Sequence, residues 1–288
     1  MKRLLILSGK GGTGKTTVAA AFAKFSDSKA LADCDVDAPN LHIVTKNPDS
    51  FEKSDFFGGE RAVIDNEKCR QCGKCQKNCR FDAIYTENGE YKVNDILCEG
   101  CAVCAYVCEN SAIEMIKDIA GEKRLYKDDR VFSTAKLKMG RGNSGKLVTE
   151  VKLALFKNAH SGELAIIDGS PGIGCPVIAS VSGTDLALIV TEPTESGISD
   201  LKRLLKTADV LRVKTAVCVN KYDLNKEKTD EIENFCKEND IPFLGRIPYD
   251  KTASDAINKG ISVAETDCMM RDALLKVYEN TVKLIFDK

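Results

Sequence analysis

The chain has 288 residues, which is enough for one large domain or for a domain that carries an insert. Its formal net charge of −1 gives no general affinity for polyanions, so nucleic acid is not expected as a partner. No stretch reaches the roughly 18 apolar residues of a membrane span, and the first residues lead straight into a strand rather than a signal peptide. We therefore expect a cytoplasmic protein that does not associate with membranes.

A glycine-rich loop follows the first apolar run, Leu4–Leu7, and precedes a predicted helix from Thr16 to about Phe25. It fits the pattern G-x-x-x-x-G-K-S/T from Gly9 to Thr16, which is typical of a phosphate-binding loop. Lys15 can reach the β- and γ-phosphates, and the Thr16 hydroxyl can hold Mg²⁺. A simple glycine turn would explain the glycines but not the Lys–Thr pair. The predicted nucleotide-binding residues here are Gly9, Gly11, Gly12, Thr13, Gly14, Lys15, Thr16 and Thr17.

Lys10 adds a second lysine to this loop. With it, the loop resembles the deviant P-loop of the MinD/ParA/Mrp ATPases and of the nitrogenase iron protein. The resemblance implies an α/β P-loop NTPase fold, with a mostly parallel sheet covered by helices on both faces. It also implies a homodimer that sandwiches the nucleotide, in which Lys10 acts on the ATP of the opposite subunit.

A group of acidic residues follows the next predicted strand, which runs from Lys29 to Asp33. The carboxyl end of a strand beside a P-loop faces the crevice in which a parallel sheet binds its ligand. The segment Asp33–Asn40 resembles the switch I motif of the same ATPases, and the resemblance makes Asp35 the residue that orients the attacking water. Lys10, Lys15 and Asp35 are therefore the predicted catalytic residues. The alternative is an Asx-rich turn in which Pro39 ends the strand.

Eight of the thirteen cysteines form two runs of identical spacing, C-x2-C-x2-C-x3-C. The runs lie 29 residues apart, and neighbouring apolar residues repeat with them, which indicates an internal duplication. This spacing resembles that of bacterial two-cluster ferredoxins, where the fourth cysteine of each run ligates the other cluster. The resemblance assigns one [4Fe–4S] cluster to Cys69, Cys72, Cys75 and Cys108, and the second to Cys98, Cys101, Cys104 and Cys79.

A pair of four-thiolate zinc sites is the alternative, but zinc sites usually pair two separated C-x2-C units. The proline that usually follows the fourth cysteine is replaced by Arg80 and Glu109, a change that affects hydrogen bonding near a cluster rather than ligation. Reduced, metal-binding thiols are in any case expected in a chain with a cytosolic P-loop. We predict an α+β ferredoxin-like insert at 56–118 between two parts of the ATPase domain, 1–55 and 119–288.

The return from the insert shows no chemistry of its own. Residues 119–140 alternate in charge and polarity, and a hairpin is predicted around Ala120 and Gly121. An amphipathic helix follows from Lys146 to about Asn158, with Ser144 as its predicted N-cap.

A second acidic strand end follows, because Leu164–Asp168 is apolar up to its final aspartate and leads into a glycine-containing loop. This is the form of a Walker B strand with the switch II loop behind it, so Asp168 is predicted to hold the Mg²⁺ shell together with Thr16. Cys175 lies where the nitrogenase iron protein has a cluster-ligating cysteine. No second such cysteine occurs between residues 109 and 167, so a buried thiol is favoured over a bridging ligand.

Strand and helix patterns alternate through the remaining chain, as expected for a parallel sheet. One strand ends in N-K-Y-D, which also occurs in guanine-binding GTPases. The family resemblance favours ATP, with Asn220 beside the adenine and the backbone of Pro248 near it. The last predicted helix, from Arg271 to about Phe286, is expected to pack on the core rather than on a membrane.

These features together predict a Mg²⁺-dependent ATPase that couples ATP binding and hydrolysis to electron transfer with a partner redox protein. A cluster carrier or assembly factor like Mrp is the first alternative. A positioning ATPase like MinD or ParA, with clusters that sense redox state, is the second.

Overall fold

The structure is a computed structural model that describes residues 1–45, 50–159, 162 and 164–287. Its strands are β1 (Lys2–Leu7), β2 (Ala30–Asp33), β3 (Glu52–Ile64), β4 (Ile84–Glu87), β5 (Glu90–Val93), β6 (Ile113–Lys127), β7 (Val131–Leu137), β8 (Leu164–Asp168), β9 (Leu186–Thr191), β10 (Lys214–Asn220) and β11 (Phe243–Ile247). Its helices are α1 (Lys15–Phe25), α2 (Leu41–Val44), α3 (Lys74–Lys77), α4 (Val103–Tyr106), α5 (Ser144–Asn158), α6 (Cys175–Val181), α7 (Glu195–Val210), α8 (Lys226–Glu238), α9 (Lys251–Asn258) and α10 (Met269–Phe286).

Nine of the strands formed by described residues make one sheet, in the order β11-β10-β9-β1-β8-β2-β7-β6-β3. All neighbours from β11 to β7 are parallel, and the last two pairs, β7/β6 and β6/β3, are antiparallel. The central strands β1, β8 and β9 are apolar over most of their length, because helices cover both faces of a parallel sheet. The predicted α/β fold class is confirmed.

Alternate side chains of β1 enter two separate cores. Leu5 and Leu7 pack with residues of α5 and α7, whereas Leu4 and Ile6 pack with residues of α1 and α10. Helix α10 buries Leu274 completely, and the ring of its Tyr278 lies 5.2 Å from that of Phe22. The prediction that the last helix packs on the core is therefore confirmed. None of the helices formed by described residues has the length and apolar character needed to cross a bilayer.

A long antiparallel ribbon, β3 with β6, leads from the sheet to the cysteine-rich segment. The hairpin predicted around Ala120 and Gly121 is wrong, because both residues lie inside β6 and the chain turns at residues 128–130 instead. The alternating polarity of this segment is that of a strand with one exposed face. Gly121 is needed there for close strand approach, since a Cβ would lie 2.8 Å from the Lys136 carbonyl oxygen.

Two helix starts also differ from the prediction. Asn143, not Ser144, precedes α5, and its side-chain amide donates to the Gly58 carbonyl of β3 rather than capping the helix. The sequence pattern also predicts a helix from Ser199 to about Val210, and this helix, α7, begins earlier, at Glu195. The Thr194 hydroxyl caps it by accepting from the backbone N–H of Gly197. The division at residues 56 and 118 stays a prediction, and both limits fall within the β3/β6 ribbon.

Candidate functional site

The glycine-rich loop joins β1 to α1 at the carboxyl edge of the sheet, and two of its glycines are required by the local backbone. Gly12 and Gly14 have φ angles of +83° and +91°, which L side chains rarely adopt. A Cβ at Gly14 would also lie 2.3 Å from the side-chain nitrogen of Asn220. The loop therefore opens directly onto the amino-terminus of α1, where an anion is favoured by free N–H groups and the helix dipole.

Asp168 is the charged centre of the site. Its carboxylate accepts from the Lys15 ammonium at 3.0 Å and from the Thr16 hydroxyl at 2.7 Å, and it is completely buried. Strands β1 and β2 both pair with β8, so the P-loop and the switch I segment flank this aspartate. The predicted Walker A and Walker B residues are thus brought together by strand adjacency.

Lys15 also lies 3.6 Å from the carboxylate of Asp35. Burial by itself would lower the pKa of Lys15, but the carboxylates of Asp168 and Asp35 outweigh it, so its pKa is raised and the ammonium stays charged. Burial raises the pKa of Asp35, and Lys15 opposes this shift. One cation between two carboxylates is a preorganised site that a phosphate group can enter by competition for the ammonium.

Asp33 is a site residue to which the sequence assigned no role. It is fully buried and accepts backbone N–H groups of Asp35, Asn40 and Leu41 at 2.9–3.1 Å, so it fixes the loop that carries Asp35. Burial, and then repulsion from Asp168, raises the pKa of Asp33 to about 7. Its place at the end of an apolar strand was the only sequence signal for this role.

Lys10 lies on the outer side of the loop, with its side chain 38% exposed. Its ammonium donates to the Ser196 hydroxyl at 2.9 Å and lies 3.9 Å from the Glu192 carboxylate, both near the start of α7. This side chain contacts neither Asp35 nor Asp168. Its proposed action across a dimer stays a prediction, and its exposure is compatible with that role.

Asn220 and its neighbour brace the P-loop from β10. The Asn220 amide donates to the Thr13 carbonyl at 2.8 Å, and Lys221 bridges the Gly12 carbonyl and the Glu192 carboxylate. Pro248 follows β11, where the backbone N–H of Tyr249 donates to Asp223 at 2.8 Å. The two segments predicted to flank the base therefore meet at one edge of the site. Thr17 lines an open cavity beside α1 together with Asn40 and Asn258.

The eight cysteines of the two runs line two small cavities. One is bordered by Cys69, Cys72, Cys75 and Cys108, and the other by Cys79, Cys98, Cys101 and Cys104. The fourth cysteine of each run thus lies with the first three of the other, in the crossed arrangement that the sequence predicts. No three described His, Cys, Asp or Glu side chains are close enough to hold a single metal ion. All thirteen cysteines are free thiols.

The backbone repeats between the two runs as the sequence does. Left-handed residues recur 29 positions apart, as in Gln71 with Gly100 and Asp82 with Ser111. Helices α3 and α4 keep the same offset. Crossed hydrogen bonds join the halves, from the N–H of Asp65 to Ala112 and from that of Asn94 to Ala83. The duplicated units therefore form one pseudo-symmetric body.

Cys175 begins α6 and is exposed, so the expectation of a buried thiol is wrong. It packs against the start of α5, where a Cβ on Gly145 would lie 3.2 Å from its carbonyl oxygen. Whether it ligates metal stays a prediction.

Comparison with known proteins agrees with this geometry. The family model of the CobQ/CobB/MinD/ParA nucleotide binding domain matches residues 4–263. The chain belongs to this family. It is 33% identical to an uncharacterised protein of Methanocaldococcus jannaschii, over 98% of this chain and 97% of that protein. It is 24% identical to an iron–sulfur cluster carrier protein of the same organism, over 99% of this chain and 86% of that protein.

The present chain, a MinD/ParA-type ATPase, shares its fold with a solved structure from Pyrococcus horikoshii OT3. That structure is the septum site-determining protein MinD complexed with Mg-ADP. The TM-score is 0.56 at 20% identity, over 99% of this chain and 97% of that one. A shorter match is to the pyruvate synthase subunit PorD of M. jannaschii. It is 37% identical over 59 residues and covers 20% of this chain and 69% of that protein.

Proposed function

We propose that this MinD/ParA-type ATPase carries two [4Fe–4S] clusters, and that ATP binding and hydrolysis gate electron transfer between these clusters and a partner redox protein. The observation that carries the proposal is the crossed grouping of eight cysteines around two cavities. In a [4Fe–4S] cluster each of four irons takes one thiolate, so the sulfurs stand further apart than around a single ion. Four thiols around a cavity, with no single-ion site among the described residues, fit that requirement. Bound there, the clusters would store and pass single electrons.

The ATP reaction follows from the charged site. Lys15, at the amino-terminus of α1, would bind the β- and γ-phosphates, and Thr16 with Asp168 would hold the Mg²⁺ shell. Asp35 would position the water that attacks the γ-phosphorus, and ADP and phosphate would leave. In a homodimer, Lys10 of one subunit would add positive charge to the phosphates of the other. Positive charge aimed at the transferring phosphoryl group stabilises its transition state. Asn220 and Pro248 would border the adenine.

A continuous set of contacts supports coupling between the insert and the nucleotide site. The side chains of Asn143 and Lys146, at the start of α5, donate to the carbonyls of Gly58 and Phe57 in β3. The start of α5 packs on Cys175 at the end of the switch II loop. In that loop the N–H of Gly172 donates to the Ser8 carbonyl of the P-loop at 3.1 Å. A shift of the switch II loop would therefore displace the start of α5 and, through it, the β3/β6 ribbon.

The second cysteine run joins the same contacts. The Arg141 guanidinium, in the loop before α5, donates to the carbonyl of Asp95 and pairs with Asp118 of β6 at 3.2 Å. Ile96 packs on Gly140 so closely that a Cβ there would lie 2.8 Å from its methyl group. Asp95 and Ile96 lie three and two residues before Cys98. The segment that leads into the second cysteine run therefore contacts the loop before α5.

Anaerobic reconstitution with iron and sulfide tests the proposal. We expect about eight iron atoms per chain, from two four-iron clusters. We also expect an EPR signal of the reduced protein that changes on addition of Mg-ATP, and ATPase turnover that differs between reduced and oxidised protein. Lys15→Ala should keep the iron and lose the nucleotide response. Iron-free protein after anoxic purification and reconstitution would refute the proposal. An EPR signal unaffected by Mg-ATP, together with an ATPase turnover unaffected by redox state, would also refute it.

The name of the 24%-identical relative favours a second candidate, a cluster carrier. A carrier should transfer its iron to an apo-ferredoxin, and transfer should depend on Mg-ATP. An electron-transfer protein should keep its full iron content through repeated reduction and oxidation. Incubation with an excess of apo-ferredoxin, followed by separation and iron analysis of both proteins, distinguishes the two.

A further inference from the structure

We propose that the surface around the first cysteine run is the docking site for an acidic electron-carrier protein. This inference rests on the proposed function, because it names the partner chemistry of the same clusters. Its basis is a difference in charge between two copies of one backbone. The basic face is defined here as Lys68, Arg70, Lys74 and Lys77, all of them exposed.

The duplication supplies an internal reference for each of these four residues. At the positions 29 residues later stand Leu97, Glu99, Val103 and Tyr106, also exposed and without a positive charge. The contrast reaches the cavities themselves, because Arg70 and Lys74 line the first cavity and Glu99 and Val103 line the second. The second copy adopts the same backbone without these four cations, so the fold itself does not require them in the first copy.

Two of these cations are not neutralised locally. Lys68 pairs with Asp65 at 2.9 Å, and Lys74 pairs with Glu109. Arg70 and Lys77 have no ion pair with any described residue. A surface with free cations around a redox cavity attracts a partner of opposite charge and speeds its encounter, as electrostatic steering does in general.

The composition of the face favours an acidic protein over other anions. Single-stranded nucleic acid is usually held by aromatic stacking, and residues 66–80 contain no aromatic side chain. Binding to an anionic membrane also needs apolar side chains, and in this segment only the cysteines are apolar. In the docked complex the reduced carrier would lose one electron, and the cluster held by Cys69, Cys72, Cys75 and Cys108 would gain it. No atom would be transferred.

The same charges predict an asymmetry between the two clusters. Nearby positive charge stabilises the reduced form, which carries one more negative charge, and net charge is among the determinants of cluster potential. The first cluster should therefore have the higher reduction potential. Removing Arg70 and Lys77 should lower the potential of the first cluster more than that of the second, because Arg70 lines the first cavity.

The test uses the reconstituted full chain and a plant-type [2Fe–2S] ferredoxin, a small acidic carrier, as the probe. The variant Arg70→Gln/Lys77→Gln is compared with Lys237→Gln/Lys276→Gln, which removes two exposed lysines from α8 and α10. Electron transfer from the reduced ferredoxin is followed by stopped flow over a series of salt concentrations, and binding by calorimetry. Cluster potentials come from EPR-monitored redox titration.

We expect the wild-type rate to fall with salt, and the first variant to be roughly threefold to tenfold slower at low salt, with the control unchanged. An equal loss in both variants, or no salt-dependent transfer in the wild type, would overturn the inference. Binding of an oligonucleotide or of phosphatidylserine vesicles that depends on Arg70 and Lys77, without binding of ferredoxin, would also overturn it. Iron content and the ATP response of the same samples report on the proposed function separately.

Discussion

Replacing Gly14 with alanine should damage the nucleotide loop in two ways whose magnitudes follow from the structure. The φ angle of +91° would cost an alanine about 1–3 kcal/mol. The added Cβ would lie 2.3 Å from the Asn220 amide nitrogen, so the buried hydrogen bond from Asn220 to the Thr13 carbonyl must break. Leaving a buried donor without a partner costs about 1–3 kcal/mol more. We expect Gly14→Ala to lower the free energy of unfolding by about 2–6 kcal/mol.

Gly11→Ala is the matched control, because Gly11 lies in the same loop, has no positive φ, and has open space where a Cβ would stand. Urea unfolding measures the stability of both variants, and calorimetric titration with Mg-ATP measures nucleotide binding. Asn220→Ala should remove the steric part of the Gly14→Ala penalty, so the two substitutions together should cost less than the sum of the single effects. Equal free energies of unfolding for Gly14→Ala and Gly11→Ala would refute this account of the loop.

Three further changes test other parts of the site. The pKa of Asp33 is raised to about 7, so between about pH 4 and pH 7 the folded chain holds a proton that the unfolded chain has released. The free energy of unfolding should therefore fall as pH rises through this window, and in Asp33→Asn it should depend less on pH. Urea unfolding at a series of pH values measures both proteins, and the same pH dependence in wild type and variant would contradict this account. Cys108→Ser should disturb the cluster held by Cys69, and Cys79→Ser should disturb the cluster held by Cys98; each variant should lose up to half of the iron. If Cys108→Ser instead lost the cluster of the second run, or Cys79→Ser that of the first run, the crossed ligation would be wrong. Lys10→Ala should remain a monomer with Mg-ATP in light scattering while still binding the nucleotide; an ATP-dependent dimer of this variant would exclude the role in trans.

Several features were determined by the sequence itself, because they depend on neighbours in the chain. A P-loop needs glycines and a Lys–Thr pair at fixed spacing, so Gly9–Thr16 could be recognised directly. The cysteine spacing was equally local, and the 29-residue offset reappears in the backbone angles. The fold class followed from alternating apolar strands and amphipathic helices.

Other features were decided by the tertiary structure alone, because strand pairing joins residues that are far apart in sequence. Residues 119–140 alternate in charge and polarity, and the sequence alone predicted a hairpin within them; pairing of β6 with β3 and β7 shows instead that their first part is a strand. Asp33 became a site residue only when β2 came to lie beside β8, which sets it in register with Asp168. The raised pKa of Lys15 likewise depends on two carboxylates, Asp168 at the end of β8 and Asp35 in the loop after β2. The sequence could list these groups, but only the sheet order determined which of them share one electrostatic site.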